Sequence, residues 1–304
     1  MTMVARVQQA TTLGALLLAV LWVKWCLEAG RPGWAVAGAA VILWGYALVL
    51  AIEFVFVYFA HGNDPAPRAT PTQLLGAWWG EVRWAQKVFC WRQPFRSRRW
   101  PDRLPSGAQQ QEGSRGVLLV HGFLCNRGIW NTWLARLTHG EVPFLAVNLE
   151  PIFGSINDYV AIIEAAVRRL EEHTGLPPIA VGHSMGGIAL RRWWAEKGNG
   201  ERLHHAITIA APHQGTWIAR FAVTRNMLQM RRHSGWLQTL AAREGAHIGR
   251  LKCFYGHCDN IVFPASTATL PGADKQHLPA VAHVHMVDTP EPWAELQRLL
   301  KIEA

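Results

Sequence analysis

Two long apolar runs open the chain. Residues 11–27, TTLGALLLAVLWVKWCL, carry one charge, Lys24, and residues 34–60, WAVAGAAVILWGYALVLAIEFVFVYFA, carry one, Glu53. A helix needs roughly 20 apolar residues to cross a bilayer. The second run exceeds that, and the first meets it if Lys24 carries its ammonium to the interface with its stem in lipid. Gly30, Pro32 and Gly33 between the runs stop one helix and turn the chain. The pattern therefore predicts a transmembrane helical hairpin over residues 1–60. A cleaved leader would have to end at the AVA of 35–37, against the length of the apolar stretch beyond it. A hairpin buried in a protein core is the other arrangement the pattern allows.

Residues 61–72, HGNDPAPRATPT, form a Pro-rich linker in which a helix cannot run, with Thr72 placed to cap the next helix. In QLLGAWWGEVRWAQKVFCW, Leu74, Trp78, Val82, Ala85 and Phe89 recur every three or four residues, one face of a helix. Arg83, Lys87 and Arg92 interleave with tryptophans, a composition that suits the headgroup layer of a membrane. It suits a helix packed on a neighbouring domain equally well. Residues 61–114 are read as one linking segment, basic and Trp-rich, with 106–115 a loop.

From residue 115 the period changes to strands alternating with helices. The stretches 116–120, 142–149, 178–182, 204–212, 251–256 and 282–287 read as strands. Residues 156–173, a helix from Met185 stopped by Gly198, and PEPWAELQRLLKI at the end read as helices. Such alternation predicts an α/β class of fold, a mostly parallel sheet with helices on both faces, over 115–304. Between the strand at 204–212 and that at 251–256, residues 216–250 mix apolar residues such as Trp217, Phe221, Met227 and Trp236 with arginines, among them Arg220, Arg225, Arg231 and Arg232. They suit a cap over a pocket or a helix folded on the core.

Composition sharpens this in two ways. Half of the chain is hydrophobic and 17% is charged, and the net charge of +9 is concentrated, since residues 61–115 hold nine Lys/Arg against four Asp/Glu. A basic segment next to a membrane hairpin points to anionic lipid rather than nucleic acid. It also places both ends of the hairpin in the cytoplasm by the positive-inside rule, hence a multi-pass membrane protein. The five cysteines, an odd number without a CxxC, fit a reducing compartment.

The chemistry centres on Gly182-His183-Ser184-Met185-Gly186, a G-x-S-x-G pattern with an apolar strand before it and a helix after it. A serine hydroxyl needs a base, a carboxylate to orient that base, and donors for an oxyanion. The backbone N–H groups of Phe123, after the strand of VHGF, and of Met185 are the oxyanion donors expected. His121 is expected to support that loop. Asp259 stands on the loop after the strand at 251–256, ahead of Asp274 and Asp288 as the acid. For the base, His283 and His285 lie two apart and, on an extended segment, face the same way. No HExxH or CxxC accompanies the other histidines, so no metal and no cofactor are expected.

Taken together, LLVHGF, GHSMGG, ITIAAPHQGT, DNIVFP and AVAHVHM resemble the α/β-hydrolase family, and within it the small bacterial lipases and esterases. The resemblance covers about residues 115–304, in the family order of oxyanion loop, Ser, Asp, His. It implies an α/β-hydrolase fold and a triad of Ser184, Asp259 and His283, because the family's GVGH segment aligns with Ala280-Val281-Ala282-His283, both glycines replaced by alanine. The implied function is hydrolysis of a carboxylic ester, of lipid or long-acyl type, by a membrane-anchored lipase or esterase. A short-chain carboxylesterase, an acyltransferase and a non-catalytic membrane scaffold are the alternatives.

Overall fold

The computed structural model describes residues 1–104, 114–197, 201–243 and 245–301. The expected loop at 106–115 falls mostly outside the described residues, as does Gly198.

The first apolar run is one helix, α1 (Met3–Glu28), capped by the Thr2 hydroxyl accepting from the Ala5 N–H. Its 26 residues span about 39 Å. It is long and apolar enough to cross a membrane, with a mean hydropathy of 1.8 over a window that is only 11% buried. The second run does not continue as one straight helix. It divides into α2 (Pro32–Trp44) and α3 (Tyr46–Ala60), bent by 53° at Gly45. The 13 residues of α2 reach about 20 Å and pair with α1. Helix α3 turns aside and docks on the rest of the protein. The Tyr46 hydroxyl donates to the Val82 carbonyl, and the Trp78 indole donates to that of Ala47. Phe54 and Val57 are buried beside Phe263 and Ala282.

The amphipathic segment forms α4 (Pro71–Lys87), continued through a π-turn at Val88–Arg92 into the short α5 (Gln93–Arg96). Its cap is Thr70 rather than Thr72. The Thr70 hydroxyl and Gln73 close a reciprocal capping box, and Pro71 fills the first helical position, where its missing N–H costs nothing. One face, Leu74, Ala77, Val82 and Ala85, is buried against the domain, while Leu75, Trp79 and Trp91 are exposed.

The described residues contain one six-stranded, wholly parallel sheet in the order β2-β1-β3-β4-β5-β6. Its strands are β1 (Val117–Val120), β2 (Phe144–Val147), β3 (Ile179–His183), β4 (His205–Ile209), β5 (Leu251–Tyr255) and β6 (Asp274–His277). Strand β1 is apolar throughout because it is buried on both faces. Leu118 and Val120 enter one core with Ile163 and Trp193, from α7 (Val160–Thr174) and α8 (Met185–Lys197). Val117 and Leu119 enter another with Trp133 and Leu134 of α6 (Asn131–His139) and Leu296 and Leu299. The insertion carries the short helices α9 (Arg225–Gln229) and α10 (Gly235–Ala241), and α11 (Pro290–Lys301) closes the fold.

One strand lies elsewhere than the pattern predicts. Residues 282–287 form a turn and a 3-10 helix (His285–Asp288), and the sixth strand is the polar edge segment Asp274–His277. The apolar residues Ala282, Val284 and Met286 are buried because the chain coils against α4 and α3, which alternation alone cannot tell from a strand.

The junction of the π-turn with this coil is a buried ion pair, Arg92 Nη1 to Asp288 Oδ2 at 2.5 Å, with Arg92 Nη2 donating to Thr132. Removing one partner strands a buried charge, at a cost of about 3–5 kcal/mol. Arg92→Ala should therefore lower the melting temperature of the full-length protein clearly. An Arg92→Met/Asp288→Leu double variant should recover most of the loss, as thermal unfolding in detergent would show.

Candidate active site

Ser184 lies between the end of β3 and the start of α8 and turns the chain from one into the other. Its N–H still donates to the Ile209 carbonyl of β4 at 2.8 Å, yet its φ is 54°, the left-handed region that a non-glycine residue enters only under constraint. The crowding that holds it there is visible at Gly186, where a Cβ would meet the Val120 and His121 carbonyl oxygens at 2.4 Å. Only glycine lets the first turn of α8 approach the end of β1 this closely. Ser184 is buried, beside the N-terminus of α8, where unpaired N–H groups and the helix dipole favour negative charge.

The loop after β1 also comes close. A Cβ on Gly122 would stand 2.8 Å from the Ser184 Cβ and 3.2 Å from the His183 carbonyl. Phe123 follows on the wall of the cavity that holds Ser184. Met185, the other expected donor, is the first residue of α8 and is buried. His121 pins the loop as the sequence suggests. Its Nε2 accepts from the Leu149 N–H at 3.0 Å, which leaves Nδ1 protonated to donate to the Gly122 carbonyl at 2.8 Å. Burial pushes its pKa down to about 4, so it stays neutral.

Asp259 lies 1% exposed on the loop after β5. Its Oδ1 accepts the Ile261 and Val262 N–H groups, both at 2.8 Å, and both its oxygens stand 3.0 Å from His283 Nδ1. Burial opposes charging of His283. The Asp259 carboxylate with its hydrogen bond, and beyond it Glu81 and Glu53, outweigh this and raise its pKa above the ordinary histidine value. His283 and Ser184 line the same cavity of about 570 Å³.

The rival residues are engaged elsewhere. His285, no longer on an extended segment, turns away from His283 and stacks on Trp84 with ring centroids 5.2 Å apart. Asp288 pairs with Arg92, and the exposed Asp274 contacts Lys252 on the sheet edge. No group of three or more metal-ligating side chains occurs among the described residues.

Three contributors carry no sequence motif that assigns them. The buried His183 ring lies 4.7 Å from that of His283, its Nε2 3.3 Å from the His283 carbonyl. Glu81 accepts the Val284 N–H at 2.9 Å and the His285 N–H at 3.1 Å, and burial raises its pKa to about 7. Glu53 accepts from Asn260 Nδ2 at 2.6 Å, while Asn260 Oδ1 accepts the His283 N–H at 3.2 Å. For both acids the available signal was a lone carboxylate among apolar helical positions.

The model of the alpha/beta hydrolase family matches residues 117–300, from β1 through nearly all of α11. The chain belongs to that family. Solved lipase structures share the fold of this hydrolase. The mature form of Bacillus licheniformis lipase BlEst2 is 16% identical, with a TM-score of 0.56 over 65% of this chain and 96% of that one. Aspergillus fumigatus lipase B is 16% identical, with a TM-score of 0.54 over 84% of this chain and 66% of that one. No curated protein sequence matches the chain.

The tightness of the Gly122 approach gives a direct check. Gly122→Ala must push the loop off Ser184, and a misplacement near 1 Å costs on the order of a hundredfold in reactivity. Covalent labelling of Ser184 by an organophosphonate should slow by about that factor. Labelling at the wild-type rate would show that the loop does not confine the hydroxyl.

Proposed function

We propose that this alpha/beta hydrolase is a membrane-anchored serine hydrolase that cleaves carboxylic esters of lipid or long-acyl type. The observation that carries the reading is the bond of His283 Nδ1 to the buried Asp259 carboxylate, in the cavity that also holds Ser184 at its strained corner. In this reading His283 Nδ1–H donates to Asp259 and Nε2 takes the Ser184 proton as Oγ attacks the ester carbonyl. The N–H groups of Phe123 and Met185 receive the negative charge that develops on the carbonyl oxygen. The imidazolium, stabilised by Asp259, then protonates the leaving alcohol. A water activated by the same imidazole releases the acid.

Membrane anchoring rests on α1 and its pairing with α2. Leu17, Val20, Trp34, Val36 and Val41 are all exposed, and an apolar surface so continuous requires cover. The excess of Lys/Arg in residues 61–115 supports a cytoplasmic position for the catalytic domain. Domain limits of 1–60, 61–114 and 115–304 follow the same logic, with 216–250 as cap. Three features support that last assignment. Phe221 and Val223 are exposed, Trp217 packs against Phe56 of α3, and Asn226 donates to the Ile152 carbonyl.

Hydrolysis of a chain-length series of p-nitrophenyl esters by the solubilised full-length protein tests the reading. Ser184→Ala should lose at least about a thousandfold in rate, and an unchanged rate would refute the mechanism. The pH dependence carries a sign. The base works only when neutral, so kcat/KM should rise with pH through a value above the ordinary histidine pKa, since His283 is shifted upward. Asp259→Asn removes the charge responsible, so the acid limb should move to lower pH while kcat falls by on the order of a thousandfold or more.

A further inference from the structure

The apolar N-terminal helices are not merely attached to the catalytic fold. They complete its cavity. Val4 and Val7 of α1 and Leu50 of α3 line the same space as Ser184 and His283, together with Ala85 and Phe89 from α4 and the turn after it. Its volume of about 570 Å³ lies within the usual ligand range of roughly 300–1,000 Å³. Its rim is apolar as well, since Val7, Leu124 and Phe153 line it and are 51%, 47% and 50% exposed. A rim of that kind admits a hydrocarbon chain more readily than a charged headgroup.

Helix α3 is two-faced. Its outer face shows Leu48, Val49, Ile52, Val55 and Phe59 to the surroundings. Its inner face gives Leu50 and Glu53 to the cavity and buries Phe54 and Val57. Glu53 fixes this orientation through Asn260, which in turn holds the His283 N–H. A helix whose outer side suits lipid thus presents its inner side to the catalytic serine.

We propose that α1 and α3 form the acyl-binding wall of the active site, so that the chain of a membrane lipid ester passes from the bilayer over their apolar rim to Ser184. This rests on the reading of Ser184 as nucleophile and adds that residues 1–60 select the substrate. Each methylene held in the cavity strengthens binding about fourfold. Displacing two or three of them is worth about tenfold or more.

The experiment uses the full-length protein in detergent micelles and places a bulky residue on the inner wall, Leu50→Trp or Val7→Trp. The matched control on the outer face is Leu48→Trp. The first readout is the ratio of kcat/KM for palmitoyl to butyryl p-nitrophenyl esters. It should fall at least about tenfold for the inner variants and stay at the wild-type value for the control. A ratio unchanged in both inner variants, or shifted equally by Leu48→Trp, overturns the proposal. Leu50→Ala, which widens the wall, gives an independent check: a ratio that falls as it does in Leu50→Trp counts against the wall. The second readout is independent of turnover, namely binding of a fluorescent octadecenoic acid analogue to Ser184→Ala with and without Leu50→Trp. Weaker binding with the added Trp, where the unsubstituted protein with Ser184 intact hydrolyses no ester of the series, would uphold the acyl site and reject the hydrolase reading. Unchanged binding, where Ser184 of the Leu50→Trp single variant still labels with phosphonate, would reject the acyl site and leave the hydrolase reading intact.

Discussion

The 280–285 loop is held by three carboxylates from three distant parts of the chain, and the arrangement of the whole molecule depends on that. Asp259 bonds the His283 side chain, Glu81 binds the N–H groups of Val284 and His285, and Glu53 reaches the His283 N–H through Asn260. The loop has no sheet to satisfy its backbone, and buried N–H groups without partners are costly, so these acceptors decide its shape. They also couple α3 and α4 to the catalytic fold. Two segments outside the family's matched residues thereby become part of the mounting of its histidine.

Concentrating acids near one imidazole has an electrostatic consequence. Burial would keep His283 neutral, yet the Asp259 charge, with smaller help from Glu81 and Glu53, favours its protonated form. Glu81 feels the reverse balance. Burial lifts its pKa to about 7, and the amides it accepts from and the nearby imidazole only partly offset that lift. In the mechanism proposed, the imidazolium would thus face two acidic side chains fixed in advance, one orienting the ring and one holding the backbone. Such groups need not reorganise as charge develops.

The sequence made the sheet legible where both faces of a strand are buried. VLLV, FLAV and the IAV that opens β3 are apolar without alternation, as parallel strands require. Ser184 was legible because glycine spacing and a strand–helix boundary coincide, and Asp259 because it follows a strand end. The polar edge strand Asp274–His277 was not, since its residues are exposed or half-buried and leave no hydrophobic signature. His283 could not be separated from His285 by spacing, because spacing assumes an extended backbone and the segment coils. What distinguishes them is a neighbour from elsewhere in the chain: Asp259 for one, the Trp84 ring for the other.

Glu53 shows how far a hydropathy reading reaches. A straight helix through residues 34–60 would carry this carboxylate into lipid, where a charge is expensive, or away from Asn260. Bending at Gly45 resolves the conflict. The first half, free of charge, pairs with α1, and the second half lies on the domain with Glu53 against its partner and its aliphatic neighbours outward. The outer face supplies the apolar count that makes the run look like a span. The single carboxylate records that its inner face is built for protein, and for the site that Ser184 occupies.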